Sequence, residues 1–522
     1  MTVPRALAAL LALALVASCS ASVTPAPSAS AAPSVAGSAA LPADRIQLLH
    51  TDDIHGRLDH EVVKSGASSF EQGGMATLAA QVADLRSRAP ERTLLLDGGD
   101  AWQGTFISNT NKGEAVTRAM SLMRYDAMAV GNHEFDWGQE VVAQRAKEAS
   151  FPFLGANVIE TATGRPPAYL RPYIVKDVGI AKVGVIGISN PGSNTIVKAS
   201  GIVGLKFGPA APAIRPLVAE LARQVDIIVV VAHIGAADAA QLARDVPGID
   251  VIVAGHDHIP LQTARVEGKT TIVNSGAYTQ FLGRLEIIVD PVTRKMTDAI
   301  RARELVAIAA SAKLRPDPEI AAIVAAHRGE AEKYTSRVVG TVRTDLPNPR
   351  DENGIGNMIT DAFVEYGRQQ GWKTDVAFYN AAGVRAPLAA GPVTFGQLYQ
   401  VLPFGNTIVS VDLTGGQLRE VLEDAAGRAG RLQIGGGSFA YRFANPAGQR
   451  VLEATIAGQP LDPGRVYHVA TIDYLLLGGD GHTWFGKGTN VIYGDVEVDV
   501  VAAYMTAHSP LDPRVEGRIQ QR

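Results

Sequence analysis

Short apolar runs that end in aspartate, asparagine or histidine occur at 46–56, 93–100, 127–136, 226–235 and 251–258. Each run has the composition of a buried strand, and metal-binding side chains follow it directly. In chain order these side chains are Asp53 and His55, Asp100, Asn132 and His133, His233, and His256 and His258. Ligands of open α/β sheets bind beyond the carboxyl ends of the strands. The five ends therefore predict one polar pocket, rich in imidazole and carboxylate, that binds metal ions.

Each of these side chains also has an ordinary structural explanation. Asn132 could close an Asx turn, Asp100 could cap a helix, and His233 could be a histidine satisfied within a core. A single Asp-x-His pair is weak evidence for a ligand set. Five independent turns are not expected to choose Asp, Asn or His every time, so the joint pattern favours the metal site.

The elements that would position these residues alternate along the chain. From Arg45 to about Val306, strand-like runs alternate with helical patterns such as 73–88, which predicts α/β layers. The segment 316–335 is predicted to be one helix, because Asp317 precedes it and Pro318 suits its first turn. At 522 residues the chain is too long for one core, so we expect this helix to connect two domains.

The order and the sequences of these motifs resemble those of the calcineurin-like metallophosphoesterases, and more narrowly those of the 5′-nucleotidase and UDP-sugar hydrolase family. The resemblance rests on LLHTDDIHG (48–56), LLLDGGDAWQGT (94–105), YDAMAVGNHEFDWG (125–138), VLPFGN (401–406), LLGGDG (476–481) and VEGRI (515–519). One departure is Asp52, where the family usually has Asn. The resemblance covers most of the chain. It implies an α/β fold with a four-layer αββα sandwich at 44–306, a linker helix within 307–336 and a second α/β, nucleotide-binding domain at 337–522.

The resemblance implies two adjacent divalent metal ions. Asp53, His55, Asp100 and His258 would bind one ion, and Asp100, Asn132, His233 and His256 would bind the other, with Asp100 shared. Two such ions, about 3.5–4 Å apart, can hold the phosphate oxygens and an attacking water. Imidazole suits zinc, manganese, iron or cobalt better than magnesium, so the identity of the metal stays open. His258 could instead lie just outside the ligand set.

His133 has a different implied role, because it follows the ligand Asn132 and would face the phosphate. The resemblance implies that it stabilises charge in the transition state and assists the leaving group. Asp136, three residues on, could orient the imidazole and favour its charged form. The plain alternative for Asp136 is a helix cap.

The second domain would recognise the substrate. NAAGVR (380–385) is similar to a family motif, with Ala382 in place of a glycine. The resemblance implies that Arg385 contacts phosphate, that Phe404 and Tyr474 stack on the two faces of the base, and that Asp480 binds ribose hydroxyls. It implies a substrate contact of unspecified kind for Asn380 and, with less regular spacing, for Arg350, which could instead be a solvated loop charge. Tyr474 stands where Phe is commoner in the family, so it adds a hydroxyl.

The amino terminus predicts export. Residues 6–17 form an apolar run too short to span a bilayer, and Val16-Ala17-Ser18-Cys19 resembles a bacterial lipobox. We expect a signal peptide at 1–19, a lipid on Cys19 and a flexible Ser/Ala/Pro tether at 20–43. The protein would then be periplasmic or at the cell surface and touch a membrane only through that lipid. An ordinary secretory peptide that contains a cysteine is the alternative.

Composition limits the partners. The net charge of −4 gives no electrostatic reason to bind a nucleic-acid polymer, and the sequence identifies no protein partner. The single cysteine excludes an intramolecular disulfide.

The function that the resemblance implies is release of phosphate from 5′-nucleotides by direct attack of metal-activated water. The same site could act on 2′,3′-cyclic nucleotides, 3′-nucleotides or UDP-sugars. A related enzyme hydrolyses sulfur-bound sulfate, but its sequence differs at the GNHE motif. This chain keeps that motif at 131–134, which argues against that activity. A non-catalytic nucleotide-binding lipoprotein is the alternative from another class, and the intact ligand set argues against it.

Overall fold

Two β-sheets packed face to face form the centre of the first domain. The computed structural model describes residues 40–522 except 66–67, 198, 301–304, 310–313, 349–350 and 428–431. The predictions for Cys19, for the signal peptide and for Arg350 therefore lie outside the described residues, as does most of the predicted tether. Within the described ranges, no helix is both long and apolar enough to cross a membrane.

The strands of the first domain form two main sheets, together with short two-stranded pairings. They are β1 (Arg45–Thr51), β2 (His60–Ser65), β3 (Ser68–Gly73), β4 (Thr93–Asp97), β5 (Ala127–Ala129), β6 (Phe153–Leu154), β7 (Val158–Glu160), β8 (Tyr173–Asp177), β9 (Lys182–Ile188), β10 (Leu205–Phe207), β11 (Ile227–Ala232), β12 (Val251–Ala254), β13 (Arg265–Glu267), β14 (Thr270–Val273), β15 (Phe281–Val289), β16 (Met296–Ile300) and β17 (Leu305–Ala307). One sheet has the order β16-β15-β1-β4-β5-β6, and the other has the order β13-β14-β12-β11-β9-β8.

Helices cover the outer face of each sheet. Those of this half of the chain are α1 (Met75–Ser87), α2 (Phe106–Asn109), α3 (Glu114–Leu122), α4 (Gln139–Glu148), α5 (Ser193–Ile196), α6 (Ala210–Leu221) and α7 (Gly235–Asp245). Strand side chains alternate between faces. Leu48 and Val229 lie in the core between the sheets, while Leu49 packs with α1 and α3, and Val230 packs with α6 and α7. In the described part of the chain the layers therefore run α, β, β, α, which confirms the predicted sandwich.

The strands that precede the polar residues are parallel neighbours. In the first sheet Thr51 of β1 pairs with Asp97 of β4, and Asp97 also pairs with Met128 of β5. In the second sheet Ala232 of β11 pairs with Ala254 of β12. Because the members of each pair run in the same direction, their carboxyl ends meet at one edge.

The second domain follows a connecting helix, α8 (Pro318–Thr335), whose first turn is capped by the Asp317 carboxylate. Its strands are β18 (Val338–Val342), β19 (Val376–Asn380), β20 (Gly391–Thr394), β21 (Thr407–Thr414), β22 (Leu432–Gly435), β23 (Gly437–Tyr441), β24 (Val451–Ile456), β25 (Gln459–Pro460), β26 (Val466–Ile472), β27 (Thr489–Val496) and β28 (Ile519–Gln521). Its helices are α9 (Gly354–Gln369), α10 (Phe395–Val401), α11 (Gly415–Gly427), α12 (Asp473–Leu476) and α13 (Glu497–His508). The second domain is thus also α/β, as predicted.

Candidate active site

Within the described residues, the candidate metal ligands of the first domain form two neighbouring groups. Ligand atoms of Asp53, His55 and His258 lie within 4.8 Å of one another, and so do those of Asp100, His233 and His256. His55 Nε2 lies 2.9 Å from His258 Nε2, and His233 Nε2 lies 2.9 Å from Asp100 Oδ2. Asp100 Oδ2 is also 4.0 Å from His55 Nε2. Asp100 therefore lies between the two groups, where a bridging ligand has to be.

The donor atoms of these groups suit divalent metal ions. His55 Nδ1 is 2.7 Å from the Gln103 carbonyl oxygen, and His233 Nδ1 is 2.8 Å from the Gly98 carbonyl oxygen. A carbonyl can only accept, so each Nδ1 carries a hydrogen, and Nε2 is the nitrogen left on each ring to bind a metal ion. The buried Oδ1 of Asn132 has no hydrogen-bond partner among the described residues. Imidazole nitrogens, carboxylates and one free amide oxygen form a typical transition-metal ligand set.

The backbone that carries these residues is held in an unfavourable conformation. Asp53, His55, Asp100, His256 and His258 all have positive φ angles, of 52°, 50°, 56°, 97° and 57°. Each such residue costs about 1–3 kcal/mol and persists only where the surroundings hold it. Such strain concentrates at functional sites, so it supports a functional role for this edge.

Burial controls the protonation of the imidazoles. Burial, followed by the charges of neighbouring residues, lowers the pKa of His256 to about 4 and that of His258 to about 3, and lowers the pKa of His55 well below its usual value. These rings are therefore neutral at pH 7, the form that binds metal. Burial alone would lower the pKa of His233, but Asp100 raises it to about 10. A metal ion would displace that proton, so binding weakens in acid.

Glu134 supports the loops that carry the candidate ligands. From the sequence it was only part of the GNHE motif, with no predicted role. Its Oε1 accepts the Ala101 N–H at 2.7 Å, and its Oε2 accepts those of Asp100 at 2.9 Å and Gly131 at 2.7 Å. The side chain thereby ties the loop after β4 to the loop after β5. Burial, and then the Asp100 charge, raise the pKa of Glu134 to about 7.

His133 points into the cavity and contacts Asp136. His133 Nδ1 lies 2.7 Å from Asp136 Oδ2, and the His133 backbone N–H donates to Asp100 Oδ1 at 2.8 Å. Burial would lower the pKa of His133, but the carboxylates of Asp136 and Asp100 outweigh it and raise the pKa above its usual value. The following helix α4 has Gly138 as its N-cap, so Asp136 does not cap that helix. This geometry fits the predicted orienting role of Asp136.

A cavity of about 770 Å³ joins the two halves of the site. Its walls include Asp100, Asn132, His133, Asp136, His256 and His258 from the first domain and Asn380, Arg385, Phe404, Tyr474 and Asp480 from the second. Asp53, His55 and His233 are buried beneath it. The structure thus brings together every predicted site residue that it describes. It adds Tyr278, whose ring packs on those of His55 and His258 and which the sequence reasoning missed.

The second-domain side chains in the cavity contact one another. The Asp480 carboxylate accepts hydrogen bonds from Asn380 and Tyr474, each at 2.8 Å. The Arg385 guanidinium lies 5.6 Å from the centre of the Phe404 ring. That ring is also stacked against His133, with centroids 5.6 Å apart and an interplanar angle of 23°. The candidate base-binding aromatic therefore lies beside the candidate catalytic histidine.

Two amides hold the Phe404 loop against the first domain. Gln103 Nε2 donates to the Pro403 carbonyl oxygen at 3.1 Å, and Asn109 Nδ2 donates to the same oxygen at 2.9 Å. The carbonyl of Gln103 also accepts from His55. Gln103 therefore links a candidate metal ligand to the loop that presents Phe404. The sequence reasoning missed both amides, because neither carries a recognisable signal.

Glu497 anchors the other end of this loop. Asn406 Nδ2 donates to Glu497 Oε1 at 3.0 Å, and the Glu497 backbone N–H donates to the Asn406 carbonyl at 2.9 Å. The side chain is fully buried, and burial raises its pKa to about 8. Glu497 is therefore largely protonated at pH 7, as a neutral acid against Asn406 in the Phe404 loop.

Comparisons with known proteins agree with this architecture. Residues 46–260 match the family described as calcineurin-like phosphoesterase, and residues 333–487 match the family described as 5′-nucleotidase, C-terminal domain. The 5′-nucleotidase of Bos taurus is 30% identical over 93% of this chain and 92% of its own length.

Solved structures show the same arrangement. A 5′-nucleotidase precursor from Thermus thermophilus superposes with a TM-score of 0.83 at 29% identity, covering 91% of this chain and 99% of that one. A sulfate thiohydrolase from the same organism superposes with a TM-score of 0.76 at 21% identity, covering 91% and 96%. At that identity the second likeness concerns the fold alone.

Glu134→Gln should weaken the metal site. A glutamine has one acceptor oxygen, so at least one of the three N–H groups, on Asp100, Ala101 or Gly131, would face an NH₂ group. Each buried donor left unpaired costs about 1–3 kcal/mol. We expect a lower melting temperature and less metal retained after dialysis. Glu140→Gln, on the exposed face of α4, is the matched control and should change neither. Full metal retention by the Glu134 variant would contradict the supporting role.

Glu497→Gln should change how stability depends on pH. The pKa of Glu497 is raised from 4.5 to about 8 in the folded protein. Its contribution to stability is therefore complete below pH 4.5 and is lost as the pH rises through 8, by up to about 1.4 kcal/mol per pH unit. The glutamine variant, which cannot ionise, should match wild type in its urea midpoint near about pH 4 and exceed it near about pH 8.5.

The control for this comparison is Glu330→Gln, whose side chain is 75% exposed. It should follow the wild-type curve throughout. Parallel curves for wild type and Glu497→Gln would show that Glu497 is ionised in the folded protein.

Proposed function

The chain belongs to the 5′-nucleotidase family and is a phosphoesterase, and from that premise we propose that it releases phosphate from 5′-nucleotides, a step of nucleotide catabolism. One observation carries the proposal. His133 and four of the candidate metal ligands, Asp100, Asn132, His256 and His258, line the same cavity as Phe404, Tyr474 and Asp480. One wall of the cavity therefore offers groups for a phosphate, and the other offers groups for a base and a sugar.

We assign the metal-binding domain to 44–306, the linker to 307–336 and the nucleotide-binding domain to 337–522.

Two divalent metal ions belong to this proposal. Asp53, His55 and His258 would hold one, His233, His256 and Asn132 the other, and Asp100 both. When bound, such ions polarise phosphoryl oxygens and lower the pKa of water. Zinc and manganese both suit these ligands.

The chain's own residues would divide the remaining work. His133, kept charged by Asp136, would stabilise negative charge on the phosphoryl group and donate its Nε2 proton to the departing ribose oxygen. Arg385 would bind phosphate oxygens through its guanidinium. Phe404 and Tyr474 would stack on the base, and Asp480 would accept hydrogen bonds from the ribose. Arg350 would add a second guanidinium contact.

The alternatives share the first-domain site. 2′,3′-Cyclic nucleotides, 3′-nucleotides and UDP-sugars all carry a base and a phosphate, so the ligand groups alone do not distinguish them. A non-catalytic nucleotide-binding role would leave the His133–Asp136 pair without a purpose. We favour the 5′-nucleotide because the Bos taurus relative is named for it.

We also propose that the protein is exported and held at a membrane by a lipid on Cys19. The sequence Val16-Ala17-Ser18-Cys19 supports this, together with the Ser/Ala/Pro composition of residues 20–43. A nucleotidase outside the cytoplasm would recover nucleosides from nucleotides that cannot cross the membrane unaided.

Phosphate release from AMP, measured with added manganese or zinc, tests the proposed activity. Wild type should act on AMP faster than on 3′-AMP, 2′,3′-cyclic AMP or UDP-glucose. Asp100→Ala should abolish turnover and lower metal content, because both ions lose a ligand. His133→Ala should lower turnover by about 10²–10⁴-fold and retain the metals.

Metal analysis of the two variants separates these roles. If His133→Ala were as depleted of metal as Asp100→Ala, His133 would be a ligand rather than a catalytic group. Faster turnover of a cyclic nucleotide or of UDP-glucose than of AMP would replace the proposed substrate.

Cys19→Ala should abolish lipid attachment while leaving catalysis intact. Detergent phase partitioning is the measurement: wild type should enter the detergent phase, and the variant should remain uncleaved or partition into the aqueous phase. Turnover of AMP by both proteins is the internal control. Aqueous partitioning of wild type would exclude the lipid anchor.

A further inference from the structure

Three side chains of the second domain form a connected hydrogen-bond group in the cavity wall. The Tyr474 hydroxyl donates to Asp480 Oδ1 at 2.8 Å, and Asn380 Nδ2 donates to Asp480 Oδ2 at 2.8 Å. The Tyr474 hydroxyl also accepts the Asp480 backbone N–H at 3.1 Å. One hydroxyl therefore holds both the carboxylate and the backbone of the same aspartate.

The turn that carries Asp480 needs such support. Gly478, Asp480 and Gly481 all have positive φ angles, of 90°, 52° and 80°. Only at Asp480 is there a side chain to oppose that conformation. The Tyr474 ring lies directly on Gly479, where an added Cβ would collide with Tyr474 Cε1. Ring and turn therefore interlock.

A second anchor fixes the far end of the turn. His482 is buried, and its Nδ1 lies 2.5 Å from Asp424 Oδ2 on helix α11. Helix α5 of the first domain contacts the turn Gly479–Gly481. The Asp480 carboxylate is thus oriented before any substrate arrives, so binding need not spend free energy to order it.

The Asp480 carboxylate can accept further hydrogen bonds on both of its oxygens. A carboxylate has about four acceptor positions, two on each oxygen. Tyr474 occupies one position on Oδ1 and Asn380 occupies one on Oδ2. Within the part of the chain that the structure describes, these two bonds leave one position available on each oxygen. Two neighbouring hydroxyls, such as the 2′- and 3′-hydroxyls of a ribose, can fill both, and a 2′-deoxyribose can fill only one.

We propose that the Tyr474 hydroxyl is a specificity-determining group, which holds Asp480 so that the enzyme prefers 5′-ribonucleotides to 2′-deoxyribonucleotides. The inference rests on the proposed 5′-nucleotidase activity and adds a sugar preference to it. The ring of Tyr474 would stack on the base, and its hydroxyl would act on the sugar indirectly, by holding Asp480. Removal of the hydroxyl alone separates these two roles, because phenylalanine keeps the ring.

The test compares kcat/KM for AMP and 2′-deoxy-AMP. Wild type should prefer AMP by about 10–100-fold, the factor expected when one hydrogen bond to a charged acceptor is lost. Tyr474→Phe should lower kcat/KM for AMP about tenfold, mainly through KM, and that for 2′-deoxy-AMP by a clearly smaller factor, because the deoxyribose makes one fewer hydrogen bond to Asp480. The preference should therefore fall towards one. Tyr493→Phe, at a ring that is 60% exposed in β27, is the matched control and should retain the wild-type preference.

A second variant keeps the test decisive if the turn fails to fold without the hydroxyl. Asp480→Asn replaces one acceptor oxygen with a donor and should also remove the preference for AMP. If Tyr474→Phe lowered kcat/KM equally for AMP and 2′-deoxy-AMP, the inference would be overturned and the hydroxyl would be a packing group. An absence of preference in wild type would overturn it too. Failure of wild type to hydrolyse either nucleotide would instead reject the proposed activity.

Discussion

The candidate site depends on one geometric constraint, the packing of two sheets whose parallel strands end at the same edge. The first sheet supplies Asp53 and Asp100 from the ends of β1 and β4, and the second supplies His233 and His256 from the ends of β11 and β12. Among the residues that the structure describes, neither sheet alone carries a complete ligand group. The apolar core between them, which includes Leu48 and Val229, therefore determines whether the site exists at all.

That arrangement is unfavourable in isolation. It buries carboxylates close together: the pKa of Asp53 is raised well above its usual value by burial, and further by the charges of Asp100 and Asp52. It also places ligands in left-handed backbone. Glu134 offsets part of this cost by accepting three backbone N–H groups from two loops. A bound divalent ion would offset much of the rest, so metal binding and stability should be linked in this fold.

Local patterns predicted α/β layers and a helix within 316–335, and a general rule for strand ends predicted the meeting of the ligands. The four-layer sandwich was implied by the family resemblance and not by the residue pattern. The sequence did not predict Gln103 or Glu497. Gln103 meets Pro403 across 300 positions, and Glu497 meets Asn406 across 91. Such pairs follow from the docking of loops onto already folded elements, which leaves no periodic or motif-like trace. Arg350 and Cys19 lie outside the described residues and stay predictions.

The two domains contribute different kinds of selectivity. Under the proposed function, metal ions held by a set such as Asp100 with His233 and His256 would bind a phosphoryl group whatever it is attached to, so this edge would not by itself choose among nucleotides. Choice must come from the opposite wall, where Asp480 is held by Tyr474 and Asn380. The two walls are joined by Gln103, which contacts both His55 and Pro403. Substrate discrimination can therefore change through second-domain side chains while the metal-binding edge stays the same, as expected of a fold shared by enzymes with different substrates.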